Sequence, residues 1–211
     1  MTPLRTRSIA VLTVVTLGCA VLLAASVAPP QPQPQTPEVA ASEIFLTVNP
    51  AQSTVHWTVE GSLHTVHGTF ALKNGSLHFD PETGRAGGEI LVNATSGQSG
   101  NNSRDARMHK EILETGKYPD AVFKPTQIDG KVAASGASDA TLHGVFSIHG
   151  ADHDLIAPVH TELSGDHWKG TTKFEVPYVK WGIKDPSNFL LKVKHVVNVE
   201  LELSGDVTEP K

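Results

Sequence analysis

The sequence predicts an all-β domain, an antiparallel barrel of about eight strands with one short helical connection. Three observations predict it. Apolar residues recur with period two along most of residues 43–207, turn-forming pairs fall between the alternating runs, and strand and helix patterns nowhere alternate as a doubly wound α/β fold requires. In the clearest run Leu191, Val193, His195, Val197, Val199, Leu201 and Leu203 alternate with Lys192, Lys194, Val196, Asn198, Glu200 and Glu202, giving one apolar and one largely solvated face. Val55, Trp57 and Val59 alternate with Thr54, His56, Thr58 and Glu60, and Leu142, Gly144, Phe146 and Ile148 with His143, Ser147 and His149. Turns are expected at Asn49-Pro50, Asn74-Gly75, residues 80–84, Asp129-Gly130, His149-Gly150 and Ser164-Gly165-Asp166. Strands this long leave exposed edges unless the sheet closes, which favours a barrel over an open sheet.

One segment breaks the period. Asn101-Asn102-Ser103 provides capping side chains for a helix over residues 104–114, with Asp105 in the first turn, Gly116 as the stop, and Met108 and Ile112 as an i,i+4 pair against the barrel. Arg104-Asp105 reads as a fastening of this connection to the barrel rim, in preference to a catalytic pair.

The N-terminal region has a different character. Arg5 and Arg7 precede an apolar run over residues 9–28, and Ser26-Val27-Ala28 offers the small residues a signal peptidase reads. Residues 1–28 are therefore an expected export signal, with an uncleaved membrane anchor as the alternative, since about 20 apolar residues can just span a bilayer. Residues 29–42, with five prolines among residues 29–37 interleaved with glutamine, read as a Pro/Gln-rich tether. The barrel domain is placed at 43–207 and a flexible tail at 208–211. Cys19, the only cysteine, lies inside the export segment, so the exported domain contains no disulfide and depends on its own core. The expected location is periplasmic or secreted, or alternatively anchored by residues 9–28.

Composition excludes some functions. The formal charge of −5 becomes −7 once residues 1–28, which hold two arginines and no acid, are removed, and this argues against a nucleic-acid partner. Eleven histidines raise the question of a metal, but His64 and His67 point to opposite faces of a regular strand and His149 and His153 flank a turn. No Gly-x-Ser-x-Gly elbow, Cys-His arrangement or phosphate-cradling Gly loop occurs. No catalytic residue, metal site or cofactor is assigned. By strand parity Trp57, Val59, Phe70, Leu72, Phe79, Ile90, Val92, Phe123, Phe146, Ile148, Phe174, Val193 and Val197 form the inward face. That face either fills a dry core or lines a cavity for one small apolar ligand, because eight-stranded barrels do both.

The order of motifs narrows this choice. Asn49-Pro50-Ala51-Gln52-Ser53-Thr54-Val55, Val66-His67-Gly68-Thr69-Phe70, Ser103-Arg104-Asp105, Lys117-Tyr118-Pro119-Asp120-Ala121-Val122-Phe123, Leu142-His143-Gly144-Val145-Phe146-Ser147-Ile148-His149-Gly150 and Trp181-Gly182-Ile183, in that order, resemble the YceI-like family over residues 43–205. The sequence departs from the family pattern at Arg107, where many members carry histidine, and at Tyr178, where many carry arginine. The resemblance implies an elongated, lipocalin-like barrel whose apolar tunnel, lined by the thirteen residues above, binds a polyisoprenoid or other long-chain lipid. It implies an exported lipid carrier and no enzyme. The implied partners are an isoprenoid or quinone-like lipid and a transiently contacted membrane, with a homodimer left open. The alternatives are a His-dependent metalloenzyme and a filled-barrel interaction module.

Overall fold

The computed structural model describes residues 43–208; the expected export signal and tether, and the last three residues, lie outside them. Nine strands follow one another: β1 (Ile44–Val48), β2 (Thr54–Gly61), β3 (Thr65–Phe79), β4 (Ala86–Gln98), β5 (Asp120–Asp129), β6 (Gly136–Ile148), β7 (Ala151–Ser164), β8 (His167–Val176) and β9 (Val193–Thr208). A helix, α1 (Asn102–Arg107), lies between β4 and β5. Every pairing is antiparallel, and β2 to β9 pair successively until β9 meets β2 again.

The eight-stranded closure holds nine strands because β1 and β2 share one place in the barrel. A single 3-10 turn over Pro50–Gln52, capped by the Asn49 side chain accepting from the Ala51 N–H, separates them. β2 lies between β3 and β9 through Val55↔Phe70 and Val55↔Leu201, while β1 lies between the same two strands further along, through Thr47↔Ser76 and Thr47↔Asp206. Proline at the first helical position and an Asx cap suit a short 3-10 turn, so the interruption is written locally in Asn49-Pro50.

Up-and-down connectivity sorts the connections to two ends. Residues 80–85, 130–135 and 165–166 lie at one end; residues 62–64, 99–119, 149–150 and 177–192 lie at the other. The first end is sealed. Trp168, 3% exposed, packs with Leu46, Val48, Leu163, Leu201 and Leu203, and its indole N–H donates to the Thr47 carbonyl at 2.9 Å. A second cluster of Val176, Tyr178 and Ile183 sits towards the other end, with Ile112, Phe146, Ile148 and Trp181 against it.

Four expectations are corrected. Asn74-Gly75 is no hairpin turn: it lies inside the 15-residue β3, where the register against β4 slips between Leu72 and Asn74. The slip moves the inward face from Phe70 and Leu72 to Gly75, Leu77 and Phe79, and a Cβ on Gly75 would stand 2.7 Å from the Val48 side chain. The helix over 104–114 is α-helical only to Arg107. It then widens into a π-helical turn over Met108–Ile112, closed by the Leu113 N–H donating to the Met108 carbonyl at 2.8 Å, and it ends at Glu114 with φ +46°. The inward parity of β9 is broken at His195, because Val59 pairs with Val197 but Gly61 with Val193; the extra residues put His195 outside, 3.0 Å from Asp185. Thr208 continues β9 opposite Phe45 and is no part of a loose tail.

Closure requires very close approach at one point. A Cβ on Gly205 would stand 1.7 Å from the Thr47 carbonyl oxygen and 3.1 Å from the Trp168 indole nitrogen. Gly205→Ala is expected to lower the unfolding free energy by roughly 2 kcal/mol or more, through overpacking and a displaced β1. Urea denaturation checks this; an unchanged midpoint would mean that β1 does not seat against β9 in solution.

Candidate functional site

Inside the barrel lies a cavity of about 600 Å³, within the roughly 300–1,000 Å³ typical of small-molecule pockets. Its wall is built by every strand. β2 contributes Val55, Trp57 and Val59, β4 Ile90, Val92 and Ala94, β5 Ala121, Phe123 and Pro125, β6 Leu142, Phe146 and Ile148, β8 Phe174 and Val176, and β9 Val193, Val197, Val199, Leu201 and Leu203. Phe146 and Phe174 meet edge to face at 6.1 Å, and Trp57 and Phe70 lie 6.3 Å apart.

Of the thirteen residues assigned to the inward face, twelve line this cavity. Leu72 does not: it is buried in the cluster that includes Phe79 and Ile90, next to the slip in β3. Parity also passed over a whole wall, because β7 contributes Leu155, Ala157, Val159, Thr161 and Leu163 and none of them was assigned. Their alternation was present in the sequence, but Pro158 reads as a strand breaker and Ile156 puts an apolar residue on the solvent side, 63% exposed.

The polar residues of the lining gather towards the end that carries α1. Asn101 caps the helix by accepting from the Arg104 N–H. Arg104 donates to the Ser99 hydroxyl and carbonyl at 2.7 and 2.8 Å, and the Asp105 carboxylate accepts from the Ser99 N–H and hydroxyl. Burial pushes the Asp105 carboxyl up, but the Ser99 hydrogen bonds and the Arg104 and His109 charges outweigh it and hold the group below the usual carboxylate range. Both charges are thus committed to holding the connection on the end of β4. Arg107 reaches the Pro186 carbonyl at 3.3 Å and Glu111 at 3.5 Å, tying α1 to the β8–β9 connection.

Two donors in the wall have no partner among the described residues: the Trp57 indole N–H and the Tyr178 hydroxyl. Both side chains are more than nine-tenths buried. Burial, with a smaller contribution from Asp185, pushes the Tyr178 phenol up to about 12, so it is a neutral donor at any physiological pH. Tyr178 was noted in the sequence only as a departure from a family pattern. Its place in the wall follows from the β8–β9 connection folding back, with the Ile183 N–H donating to the Tyr178 carbonyl at 2.9 Å.

The histidines are dispersed. His143 pairs with Asp129, His149 with Glu114, His160 with Asp139 and His167 with Asp206, at 2.7 to 2.9 Å, and His153 stacks on Trp181 at 4.1 Å. No group of three His, Cys, Asp or Glu among the described residues is placed to hold a metal ion.

A barrel of this topology with an apolar interior can be compared with known proteins. The model of the YceI-like domain matches residues 46–205, nearly all of the described barrel. The chain belongs to the YceI-like family. Among relatives, a UPF0312 protein of Vibrio parahaemolyticus is 25% identical over 148 residues, covering 66% of this chain and 74% of the relative. A UPF0312 protein of Pseudomonas fluorescens is 35% identical over 91 residues, 38% of this chain and 45% of the relative. Two solved structures share the YceI-like barrel. BcnA of Burkholderia cenocepacia has a TM-score of 0.63 at 16% identity over 75% of this chain and 99% of its own. A polyisoprenoid binding domain from Saccharophagus degradans, implicated in plant cell wall breakdown, has 0.59 at 12% identity over 77% and 98%. At such identities the likeness to these structures is one of fold.

Two substitutions test the YceI-like cavity. Ala157→Phe places a ring where there is space, so it is expected to change stability by less than about 1 kcal/mol, whereas a filled core would lose roughly 1–3 kcal/mol to overpacking; thermal unfolding separates the two. Tyr178→Phe removes a buried donor that has no partner and is expected to leave the unliganded protein as stable or more stable, by up to about 1 kcal/mol. A clear loss in calorimetry would mean that the hydroxyl is bonded.

Proposed function

We propose that this chain is an exported lipid-binding protein that carries or sequesters a polyisoprenoid or other long-chain apolar ligand inside the barrel. The observation that carries the reading is the apolar cavity of about 600 Å³ in a YceI-like barrel. It is supported by the description of the Saccharophagus degradans neighbour as a polyisoprenoid binding domain. A binding role is favoured over an enzymatic one, since the charged residues near the cavity are committed to holding the helical connection.

The physical chemistry of the wall shapes the ligand. Burying apolar surface yields roughly 25 cal/mol per Å² against water, but a prenyl chain drawn from a bilayer leaves a medium as apolar as the barrel. Net affinity over the membrane then rests on packing and on the head group. The Trp57 indole N–H and the Tyr178 hydroxyl have no protein partner among the described residues, and a ligand oxygen that reaches either after a side-chain shift recovers about 1–3 kcal/mol. A neutral oxygen, such as a quinone carbonyl, suits them. Exchange with a membrane, transiently contacted from the periplasmic or outer side, completes the reading.

Mass spectrometry of an organic extract of protein purified from its native host is expected to show a long-chain apolar lipid near one equivalent, and the Ala157→Phe protein to carry markedly less. Clean extracts from both would refute a lipid carrier.

A further inference from the structure

The cavity has one sealed end and one end carrying four connections. At the second end three large apolar side chains stand in water: Leu63 is 74% exposed, Phe189 95% and Leu190 81%. They belong to two connections that are hydrogen-bonded together. The Ser62 N–H donates to the Lys192 carbonyl at 2.8 Å, and the Lys192 N–H to the Ser62 hydroxyl at 3.2 Å. The tip is also held in shape. The Asn188 side chain accepts from the N–H groups of Leu190 and Leu191, a turn that sends Phe189 and Leu190 outward while Leu191 turns in to line the cavity beside His64. The exposed tip and the cavity wall are therefore consecutive residues of one chain segment.

Charge is divided along the same axis. The connections at this end, residues 62–64, 99–119, 149–150 and 177–192, hold seven Lys and Arg against four Asp and Glu, a net of +3. The connections at the sealed end, residues 80–85, 130–135 and 165–166, hold two against three, a net of −1. Residues 43–208 together carry fourteen against twenty, a net of −6. Lys180, Lys184 and Lys192, all exposed, belong to the same connection as the apolar tip. An aromatic and aliphatic tip on a connection that also carries Lys180, Lys184 and Lys192, on an otherwise acidic protein, complements an anionic lipid surface, where the apolar groups enter the acyl boundary and the cations meet the head groups.

We infer that Leu63, Phe189 and Leu190 dock this end of the barrel onto an anionic bilayer, so that the cavity opens towards the lipid it exchanges. The inference rests on the lipid-carrier reading above and gives it a direction. The test uses the full chain with a tryptophan in place of Phe189 (Phe189→Trp) or, at the sealed end, of Ala134 (Ala134→Trp). Each is mixed with vesicles of phosphatidylglycerol and acyl-brominated phosphatidylcholine, and native tryptophan signal is subtracted. Bromine on the acyl chains quenches only a buried reporter, whatever residues 9–28 do.

Quenching is expected at position 189 and not at 134. The vesicle concentration that produces it should rise by an order of magnitude or more in phosphatidylcholine alone or in high salt, and by about tenfold or more in Leu63→Asp/Leu190→Asp. Equal quenching at both positions, none at 189, or indifference to lipid charge would overturn the inference, as would a dimer in sedimentation that shields position 189. Extracts of the unsubstituted protein separate the two readings: bound lipid without quenching at position 189 refutes the docking alone, and clean extracts with intact quenching at position 189 refute the carrier alone.

Discussion

Everything in this molecule depends on the last strand pairing with the first. β9 meets β2 and β1 across about 150 residues of sequence, and only that pairing turns eight strands into a barrel with an inside. The residues at the seam are adapted to it. The turn at Pro50–Gln52 lets one place in the barrel be shared by two strands, Gly205 admits the Thr47 carbonyl, and the Trp168 indole bonds the same carbonyl from beneath. Contacts this distant in sequence form late and at large entropic cost, so the cavity is a property of the fully closed state and has no partial precursor in the hairpins.

What the sequence reveals follows from what alternation can encode. β2, β6 and β9 were legible because their apolar residues keep strict parity next to clear turn pairs. Parity fails where a register slips: at Leu72 to Asn74 and at His195 the chain takes extra residues, and nothing local marks which of two similar apolar positions turns inward. β7 failed for another reason, since Ile156 and Pro158 on the outer face imitate a broken pattern. The size of the cavity was not legible at all. It depends on Ala94, Ala121 and Ala157 standing where bulkier residues would fill the space, and no short-range pattern distinguishes these from a small residue that packs, such as Gly170 against the Trp168 ring. The Tyr178 site was hidden likewise, because a 16-residue connection, residues 177–192, returns it to the wall.

The two ends divide the work. At the sealed end the side chains of Leu163, Trp168, Leu201 and Leu203 belong to the larger of the two core clusters and border the cavity. At the other, closure is made by α1 and the β8–β9 connection, held by a few hydrogen bonds and ion pairs such as Arg107 to Pro186 and Lys184 to Glu111. Pairs as exposed as these contribute at most about 1 kcal/mol each, and the π-helical turn after Arg107 replaces regular helix geometry with a wider one. Local opening is favoured where closure rests on few buried contacts and exposed polar pairs, as it does at this end.

The cavity itself sets a thermodynamic condition. Voids left in protein cores cost about 24 cal/mol per Å³. The space of about 600 Å³ communicates with solvent, so that rate bears only on the part of it that stays dry. Without a guest such a space takes up water where its wall is polar and stays dry where it is apolar. Along the apolar stretches of the wall water is a poor filler, because a buried water wants two to four polar partners. A guest with a flexible apolar body satisfies those stretches, which is the physical ground of the lipid-binding role proposed above. Ala94 on β4, Ala121 on β5 and Ala157 on β7 all face this space, where larger side chains take up interior volume, so the room inside the barrel is set by residues on three different strands.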